Sequence, residues 1–156
     1  MNHITFRPAT IADLPILLEF EQGIVSAERP FNPTLKMEGV TYYDIAALID
    51  EPNAEVIVGS FNGQIITSGY ALIKQASSNV QHDAYALLGF MYVHPTMRGK
   101  GINKLLTEQL TNWAKAQQVF EIRLYVYAEN KPAIRAYEKA GFTSLVTEMR
   151  LDLGLK

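Results

Sequence analysis

The chain is 156 residues long, carries a formal net charge of -2 and contains no cysteine. Its hydrophobic content of 48% and charged content of 19% are ordinary for a soluble globular domain with a single core. The slight negative charge argues against a nucleic-acid partner held by bulk electrostatics, and the lack of cysteine excludes disulfides, thiolate metal sites and cysteine nucleophiles.

The spacing of the histidines and the length of the apolar runs argue against metal-binding and membrane-spanning proteins. His3, His82 and His94 have no metal-binding spacing, so no metal is expected. The N-terminus lacks a charged and then apolar leader, and no apolar run approaches the roughly 18 residues of a membrane span. We therefore expect a cytoplasmic protein with no membrane partner.

The chain opens with a strand and a helix. Residues 4–7 alternate as a short strand. Thr10 or Asp13 then caps a helix with an apolar face. Asp13 is the better choice, because it puts Pro15 in the first turn, where no backbone donor is lost.

Residues 21–41 follow as a long segment in which prolines and a glycine break any period. A structureless connection of this length is uncommon in so small a domain, which makes it a candidate binding segment. Within it Glu28 and Arg29 precede the aromatic Phe31. The alternative is a solvated surface loop anchored by Phe31.

A second short helix and a hairpin come next. Thr41 opens the helix, with Asp44 three residues later as a weak capping box. Residues 55–61 and 64–73 then flank Asn62-Gly63, a strong hairpin signal.

Residues 84–93 are apolar on both faces, which predicts a central strand, and Gly89 marks a bulge or a close backbone approach within it. After this strand, Gly99 and Gly101 lie in a turn that leads into a helix with apolar residues at i, i+3 and i+4. Such a turn presents unpaired N–H groups at the positive end of the helix dipole, which favours an anion. The cationic Arg98 and Lys100 in the same turn support a phosphate site over a simple turn.

The last elements are a strand, a helix and a strand. Residues 121–127 alternate, Asn130 is the expected N-cap of a helix, Gly141 ends that helix, and residues 142–153 complete the sheet. This order of elements is mixed α/β, with a parallel crossover only where the glycine turn lies.

Two motifs resemble the GNAT superfamily of acyl-CoA-dependent N-acetyltransferases. Residues 98–103, Arg-Gly-Lys-Gly-Ile-Asn, resemble its pyrophosphate loop [QR]-x-x-G-x-[GA], with Asn103 where Gly or Ala is usual. Residues 130–142 resemble its N-x-x-A-x-x-x-Y-x-x-x-G-F block without a missing position. The resemblance implies a single domain over residues 1–156. In that domain about four helices flank a twisted, mostly antiparallel sheet, in which one parallel pair splays apart.

The resemblance also implies a binding site for acetyl-CoA as co-substrate, with no metal. The implied contacts are phosphate contacts from the loop, main-chain contacts to the pantetheine and one contact from the second motif. The residues are Arg98, Gly99, Lys100, Gly101, Ile102 and Asn103 for the loop, Met91 and Val93 for the main chain, and Asn130 for the second motif.

Tyr137 is the implied catalytic acid. When an amine attacks a thioester, the departing thiolate needs a proton, and a phenol with a pKa near 10 can supply one at neutral pH. The alternative is a core tyrosine bonded to a carbonyl. The oxyanion that forms on attack also needs a donor, for which the resemblance implies a main-chain N–H near Met91.

The general base is left open by the sequence. Many members of the family carry a carboxylate in the strand before the glycine loop, where this chain has Leu88-Gly89-Phe90. The candidates that remain are carboxylates, one histidine, or water held by a tyrosine: Glu28, Asp44, Asp83, His82, Tyr92, Tyr125 and Tyr127.

For the acceptor we expect a small polar or amino-acid-like primary amine. Its binding residues would be Glu28, Arg29, Tyr42 and Asp44, because the carboxylates suit a cationic amine and the arginine suits a carboxylate. A protein N-terminus or lysine remains an alternative acceptor. The competing function is a non-catalytic acyl-CoA-binding sensor or partner module, and a homodimer formed through the last strand is left open.

Overall fold

A five-stranded sheet forms the centre of the first of two units into which the chain folds. The computed structural model describes residues 3–154, and its units are Met1–Tyr125 and Val126–Lys156. The strands are β1 (Thr5–Pro8), β2 (Ala54–Phe61), β3 (Gln64–Gln75), β4 (Ala84–Val93) and β5 (Ile122–Leu124), and they lie in that order across the sheet. Neighbours are antiparallel except for β4 and β5, which confirms the mixed α/β prediction.

Three of the four α-helices of the described chain belong to the first unit, and the fourth lies in the second. They are α1 (Leu14–Glu28), α2 (Ile45–Asp50), α3 (Ile102–Ala116) and α4 (Lys131–Lys139). Leu17 of α1 and Ile45 of α2 share a core cluster with Tyr70 and Phe90 of the sheet. On the opposite face, Gly69 lies against α3, because adjacent strand residues point to opposite faces.

The hairpin and the strand over residues 84–93 form where the sequence predicts them, although this strand is the fourth of five and not the middle one. Asn62 and Gly63 have φ of 51° and 77°, the left-handed pair that a two-residue turn needs. Residues 84–93 form β4 over the predicted range. A side chain at Gly89 would place Cβ within 2.4 Å of the Tyr70 ring, so this glycine marks a close approach, as predicted.

At the start of α1, Asp13 occupies the N-cap position as predicted, but its side chain does not make the predicted capping hydrogen bond. It accepts instead from the Thr10 amide at 2.8 Å and from both terminal nitrogens of Arg7 at 2.8 and 2.9 Å. The Arg7 guanidinium lowers the pKa of Asp13 and turns its carboxylate away from the helix.

Residues 21–28 belong to α1, so the prediction of a long structureless segment was wrong over this range. The apolar face of the helix continues through Ile24 and Val25, which are buried, and the first proline comes only at Pro30. The irregular segment that remains, residues 32–44, connects α1 to α2.

The second helix also starts later than predicted. Asp44 is its N-cap and accepts from the Ala47 amide at 3.1 Å, so Thr41 is not the cap. The amides of Tyr42 and Tyr43 both donate to the carboxylate of Glu21, which holds these two residues outside the helix.

Two predictions about the end of the sheet were wrong. β5 spans three residues, whereas residues 121–127 were predicted as a strand. Residues 142–153 have no strand structure, although their apolar alternation predicts one. Alternation favours a strand only where a neighbouring strand completes the hydrogen-bond ladder, and in the described chain the sheet ends at β5.

Candidate functional site

The glycine loop joins the end of β4 to the start of α3. Gly99 and Gly101 both have φ of 76°, the left-handed region that side chains disfavour. A Cβ added at either position would meet nothing within 4 Å, so the backbone conformation and not packing within the protein selects glycine here. The space beside the loop is open to a ligand.

The first amides of α3 face the same region. The amide of Leu105 donates to the Gly101 carbonyl at 3.3 Å, and this bond closes the first helical turn. The N–H groups of Ile102, Asn103 and Lys104 precede that turn and have no acceptor within the helix. Together with the helix dipole they favour an anion at this end of α3.

Arg98 and Lys100 bring positive charge to the loop. Arg98 Nε donates to the Val93 carbonyl at 3.0 Å, so the guanidinium lies against the end of β4. Lys100 Nζ lies 3.9 Å from Met97 Sδ. The carbonyl of Val93 therefore already accepts a hydrogen bond from the protein's own arginine.

β4 has a long edge on the side of β5 that no described strand covers. Pairing between the two strands is limited to Ala86 with Ile122, Leu87 with Arg123 and Leu88 with Leu124. β4 continues for residues 89–93 beyond the last pair. The pairing of β4 with β5 therefore ends at Leu88. That the pair splays apart beyond this point stays a prediction of the family resemblance.

The same part of β4 carries a bulge. Two residues, Phe90 and Met91, lie opposite the single residue Gly69 of β3. Phe90 has φ of 56°, and its side chain is 1% exposed. Its amide donates to the hydroxyl of Tyr43 at 3.3 Å, a contact that bonds the segment before α2 to the bulge.

Three side chains of α1 and of the turn that follows it anchor the irregular segment 32–44. Glu21 Oε2 accepts from the amides of Tyr42 and Tyr43 at 2.9 and 2.8 Å, and Gln22 donates to the Val40 carbonyl at 2.9 Å. Arg29 donates to the Lys36 carbonyl at 2.8 Å. Arg29 thus has a structural contact in addition to its predicted contact with substrate.

An open groove of about 470 Å³ lies along this anchored segment. Glu21, Tyr42, Tyr43 and Asp44 are among the residues that line it. The groove thus brings together two of the predicted acceptor residues, Tyr42 and Asp44.

Glu28 lies at the last residue of α1 and is half-buried. Burial raises the pKa of its carboxyl, because the charged form loses solvation. Burial is also the main reason that the pKa of Tyr43 is raised, and the nearby charge of Glu28 adds to that rise. The charge of Glu28 therefore acts on Tyr43, the residue that contacts the bulge.

The second unit carries the other motif. Asn130 Oδ1 accepts from the Ala133 amide at 3.4 Å and so caps α4, as predicted. Tyr137 is in this helix, with its ring 5.7 Å from that of Phe142. Gly141 has φ of 101°, and the Phe142 amide donates back to the Tyr137 carbonyl at 3.0 Å, which ends the helix as predicted.

The sequence revealed the glycines and Asn130 by type and spacing, but it did not reveal Glu21 or Tyr43. Glu21 was assigned to a loop, and nothing in its neighbourhood marks it as a buried ligand of two amides. Tyr43 stands beside Tyr42 in the sequence, and only the fold shows which of the two reaches β4.

Residues 3–154 contain no group of three or more His, Asp or Glu side chains that could hold a metal ion. In the same range, no helix is both long and apolar enough to cross a membrane.

The mixed sheet and the glycine loop at the N-terminus of α3 agree with the resemblance drawn from the two motifs. Residues 22–142 match the acetyltransferase (GNAT) family, and the matched range contains the glycine loop and the Asn130–Phe142 motif. The chain therefore belongs to this family, which confirms the resemblance drawn from the two motifs.

Two relatives are similar in sequence to part of the chain. It is 32% identical over 83 residues to the mycothiol acetyltransferase of Acidothermus cellulolyticus, covering 51% of this chain and 25% of that protein. It is 35% identical over 72 residues to a streptothricin acetyltransferase of Escherichia coli, covering 46% of this chain and 41% of that protein. The chain thus spans less than half the length of these relatives.

The fold resembles the crystal structure of a predicted acetyltransferase of Clostridium acetobutylicum with acetyl-CoA. The TM-score is 0.71 at 20% identity, with 97% of each chain covered. The likeness covers nearly the whole of both chains and concerns the fold alone.

Proposed function

We propose that the protein transfers the acetyl group of acetyl-CoA to the primary amine of a small polar or amino-acid-like acceptor, by direct attack in a ternary complex. The observation that carries the proposal is the open edge of β4 at residues 89–93, which leads directly into the glycine loop. The extended pantetheine arm of acetyl-CoA can pair with this edge as a strand would, while the phosphates of the cofactor lie on the loop.

The loop supplies the contacts to the pyrophosphate. The amides from Gly99 to Asn103 offer donors around two glycines with open space beside them. Arg98 keeps two terminal nitrogens for a phosphate while its Nε binds Val93. Asn103 departs from the family pattern by its side chain alone, and it retains the backbone donor.

The remaining cofactor contacts of the proposal follow the family resemblance: they are main-chain groups of β4 and the side chain of Asn130. The amide of Val93 serves the pantetheine, and the amide of Met91, which follows the bulge at Phe90, stabilises the oxyanion. Asn130 uses its oxygen as the cap of α4, which leaves its side-chain NH₂ for the pantetheine.

Glu28 is the candidate base that the structure supports best. A carboxyl with a raised pKa accepts a proton from an ammonium group more readily than an ordinary carboxyl does. The charge of Glu28 also acts on Tyr43, whose hydroxyl accepts from the amide of Phe90 in the bulge. Asp44 already caps α2, which makes it a weaker candidate.

The proposed step balances in atoms and protons. The neutral amine attacks the thioester carbonyl, a C–N bond forms and the C–S bond breaks. The nitrogen loses a proton to Glu28, and the thiolate gains one from the hydroxyl of Tyr137. Proton exchange with solvent then restores both side chains. The chain contains neither cysteine nor a G-x-S-x-G elbow, so no covalent acyl-enzyme is part of the proposal.

The test is thiol release from acetyl-CoA with amino acids, polyamines, aminoglycosides and short peptides as acceptors. Tyr137→Phe keeps the ring and removes the acid, so we expect kcat on the preferred acceptor to fall by about 100-fold or more, with acetyl-CoA affinity retained. Tyr85→Phe is the matched control, because it removes a phenol whose ring contacts Arg123 and should leave kcat unchanged.

The competing function is an acyl-CoA-binding module without turnover. Asn103 in the loop and the absence of a carboxylate from Leu88-Gly89-Phe90 favour it. Binding of acetyl-CoA with no thiol release on any acceptor would establish this function and reject the enzyme. Turnover that is unaffected in Tyr137→Phe would reject Tyr137 as the acid.

A further inference from the structure

The bulge in β4 holds a residue in an unfavourable conformation. Phe90 has φ of 56°, which is rare for an aromatic residue and persists only where the surrounding structure holds it. The residue before it is Gly89, where any side chain would collide with the Tyr70 ring. The residue after it is Met91, whose amide the proposed reaction uses.

The contact that holds this conformation comes from Tyr43. The Phe90 amide points out of the ladder and donates to the Tyr43 hydroxyl at 3.3 Å. The Tyr43 ring lies 5.5 Å from the ring of Phe90 and 5.6 Å from that of Tyr70. A buried amide needs an acceptor, and here the phenol takes the place of a carbonyl of β3.

Tyr43 is itself fixed from α1. The carboxylate of Glu21, 1% exposed, accepts from the Tyr43 amide at 2.8 Å and from the Tyr42 amide at 2.9 Å. A series of contacts thus runs from Glu21 through the backbone and the hydroxyl of Tyr43 to the bulge. Each contact joins residues that are far apart in the sequence.

We propose that Tyr43 is a positioning residue for acyl transfer, because its hydroxyl holds the Phe90 amide and so sets the direction of the Met91 N–H that follows. This inference rests on the proposed function. Without the phenol the Phe90 amide would lose its acceptor, and the bulge would relax towards a regular strand. The Met91 donor would then turn away from the position where the oxyanion forms.

The role of Tyr43 is to accept a hydrogen bond and not to transfer a proton. Burial raises the pKa of its hydroxyl, so the phenol stays neutral at neutral and mildly alkaline pH. Its removal should therefore change the height of the pH profile of kcat and leave the shape unchanged.

Tyr43→Phe tests the proposal, because it keeps the ring contacts and removes only the acceptor. We expect kcat to fall by about 10- to 100-fold, less than the roughly 100- to 1000-fold cost of a missing oxyanion donor, because the donor is displaced and not removed. The Kd and KM for acetyl-CoA should change by less than about threefold, because the phosphate loop is unaltered. Tyr85→Phe removes a phenol from β4, the strand that carries the bulge. This control should match the wild type in kcat and in the Kd and KM for acetyl-CoA.

Amide hydrogen exchange provides a readout that does not depend on turnover. In the wild type the Phe90 amide should be protected, and in Tyr43→Phe it should exchange at least about tenfold faster. If no acceptor supports turnover in the wild type, the proposed function fails, while faster exchange would still establish that Tyr43 holds the bulge.

Three results would overturn the proposal. They are an unchanged kcat in Tyr43→Phe, a loss of kcat that equals a loss of acetyl-CoA affinity, and a Phe90 amide that exchanges freely in the wild type. The last of these needs no variant, so the proposal stays testable if Tyr43→Phe does not fold.

Discussion

At the scale of single residues, Glu28 combines a proposed chemical role with a cost in stability. Burial raises the pKa of its carboxyl above the unfolded value of about 4.3, so folding favours the protonated form. The folded state binds more protons than the unfolded state as the pH rises from the unfolded pKa through the folded pKa, and stability falls over that window. The group therefore destabilises the fold at neutral pH.

Glu28→Gln should separate the two effects. Glutamine resembles the protonated carboxyl, so we expect the variant to have a higher Tm than the wild type at pH 7 and an equal Tm below about pH 4, where both side chains are neutral. Its kcat should fall, because the base is gone. Thermal unfolding between pH 4 and pH 8 measures the first effect, and a Tm difference that is the same at both ends would refute it.

Single residues also show what the sequence can reveal about a site. Gly99, Gly101 and Asn130 are recognisable because each is selected by its own backbone, through a left-handed φ or a helix cap. Glu21 and Tyr43 act on residues 21 or more positions away, and such contacts depend on the packing of α1 against the sheet. Local sequence patterns therefore do not predict these long-range contacts.

At the scale of elements, the glycine loop can be compared with the hairpin turn. Gly101 and Gly63 have φ of 76° and 77°, and a Cβ at either would meet nothing within 4 Å. Alanine at either position should therefore cost about the same stability, roughly 1–2 kcal/mol for a left-handed side chain.

Only the loop glycine should affect ligand binding. We expect Gly101→Ala to lower the affinity for acetyl-CoA by about tenfold or more, because strain and the new methyl group displace the loop amides. Gly63→Ala should leave that affinity unchanged. Calorimetric titration of both variants checks the difference, and equal affinities in the two would remove the loop from the cofactor site.

The sequence predicts best those elements whose ends are marked by residues within or next to the element. The β2–β3 hairpin, α3 and α4 are bounded by glycine or a capping side chain, and β4 is a continuous apolar run. The predictions were wrong where a residue distant in the sequence determines the local structure. Glu21 delays the start of α2, Arg7 redirects Asp13, and residues 142–153 have an apolar alternation but no neighbouring strand in the described chain.

At the scale of the whole molecule, the two family motifs lie in different units. The glycine loop and the open edge of β4 belong to Met1–Tyr125, and Asn130 and Tyr137 belong to Val126–Lys156. Each motif is proposed to act through its own residues, the loop through its amides and Arg98, and the second motif through Asn130 and Tyr137. Family membership over residues 22–142 includes both parts.

The most direct test of the account is to identify the product. The protein is incubated with acetyl-CoA and each amine, and mass spectrometry measures the acetylated amine while a thiol assay measures free CoA. We predict that one class of primary amine is acetylated on nitrogen and that product and free CoA form in equal amounts. Free CoA without an acetylated amine, or no free CoA with acetyl-CoA bound, would contradict acetyl transfer as the function of this protein.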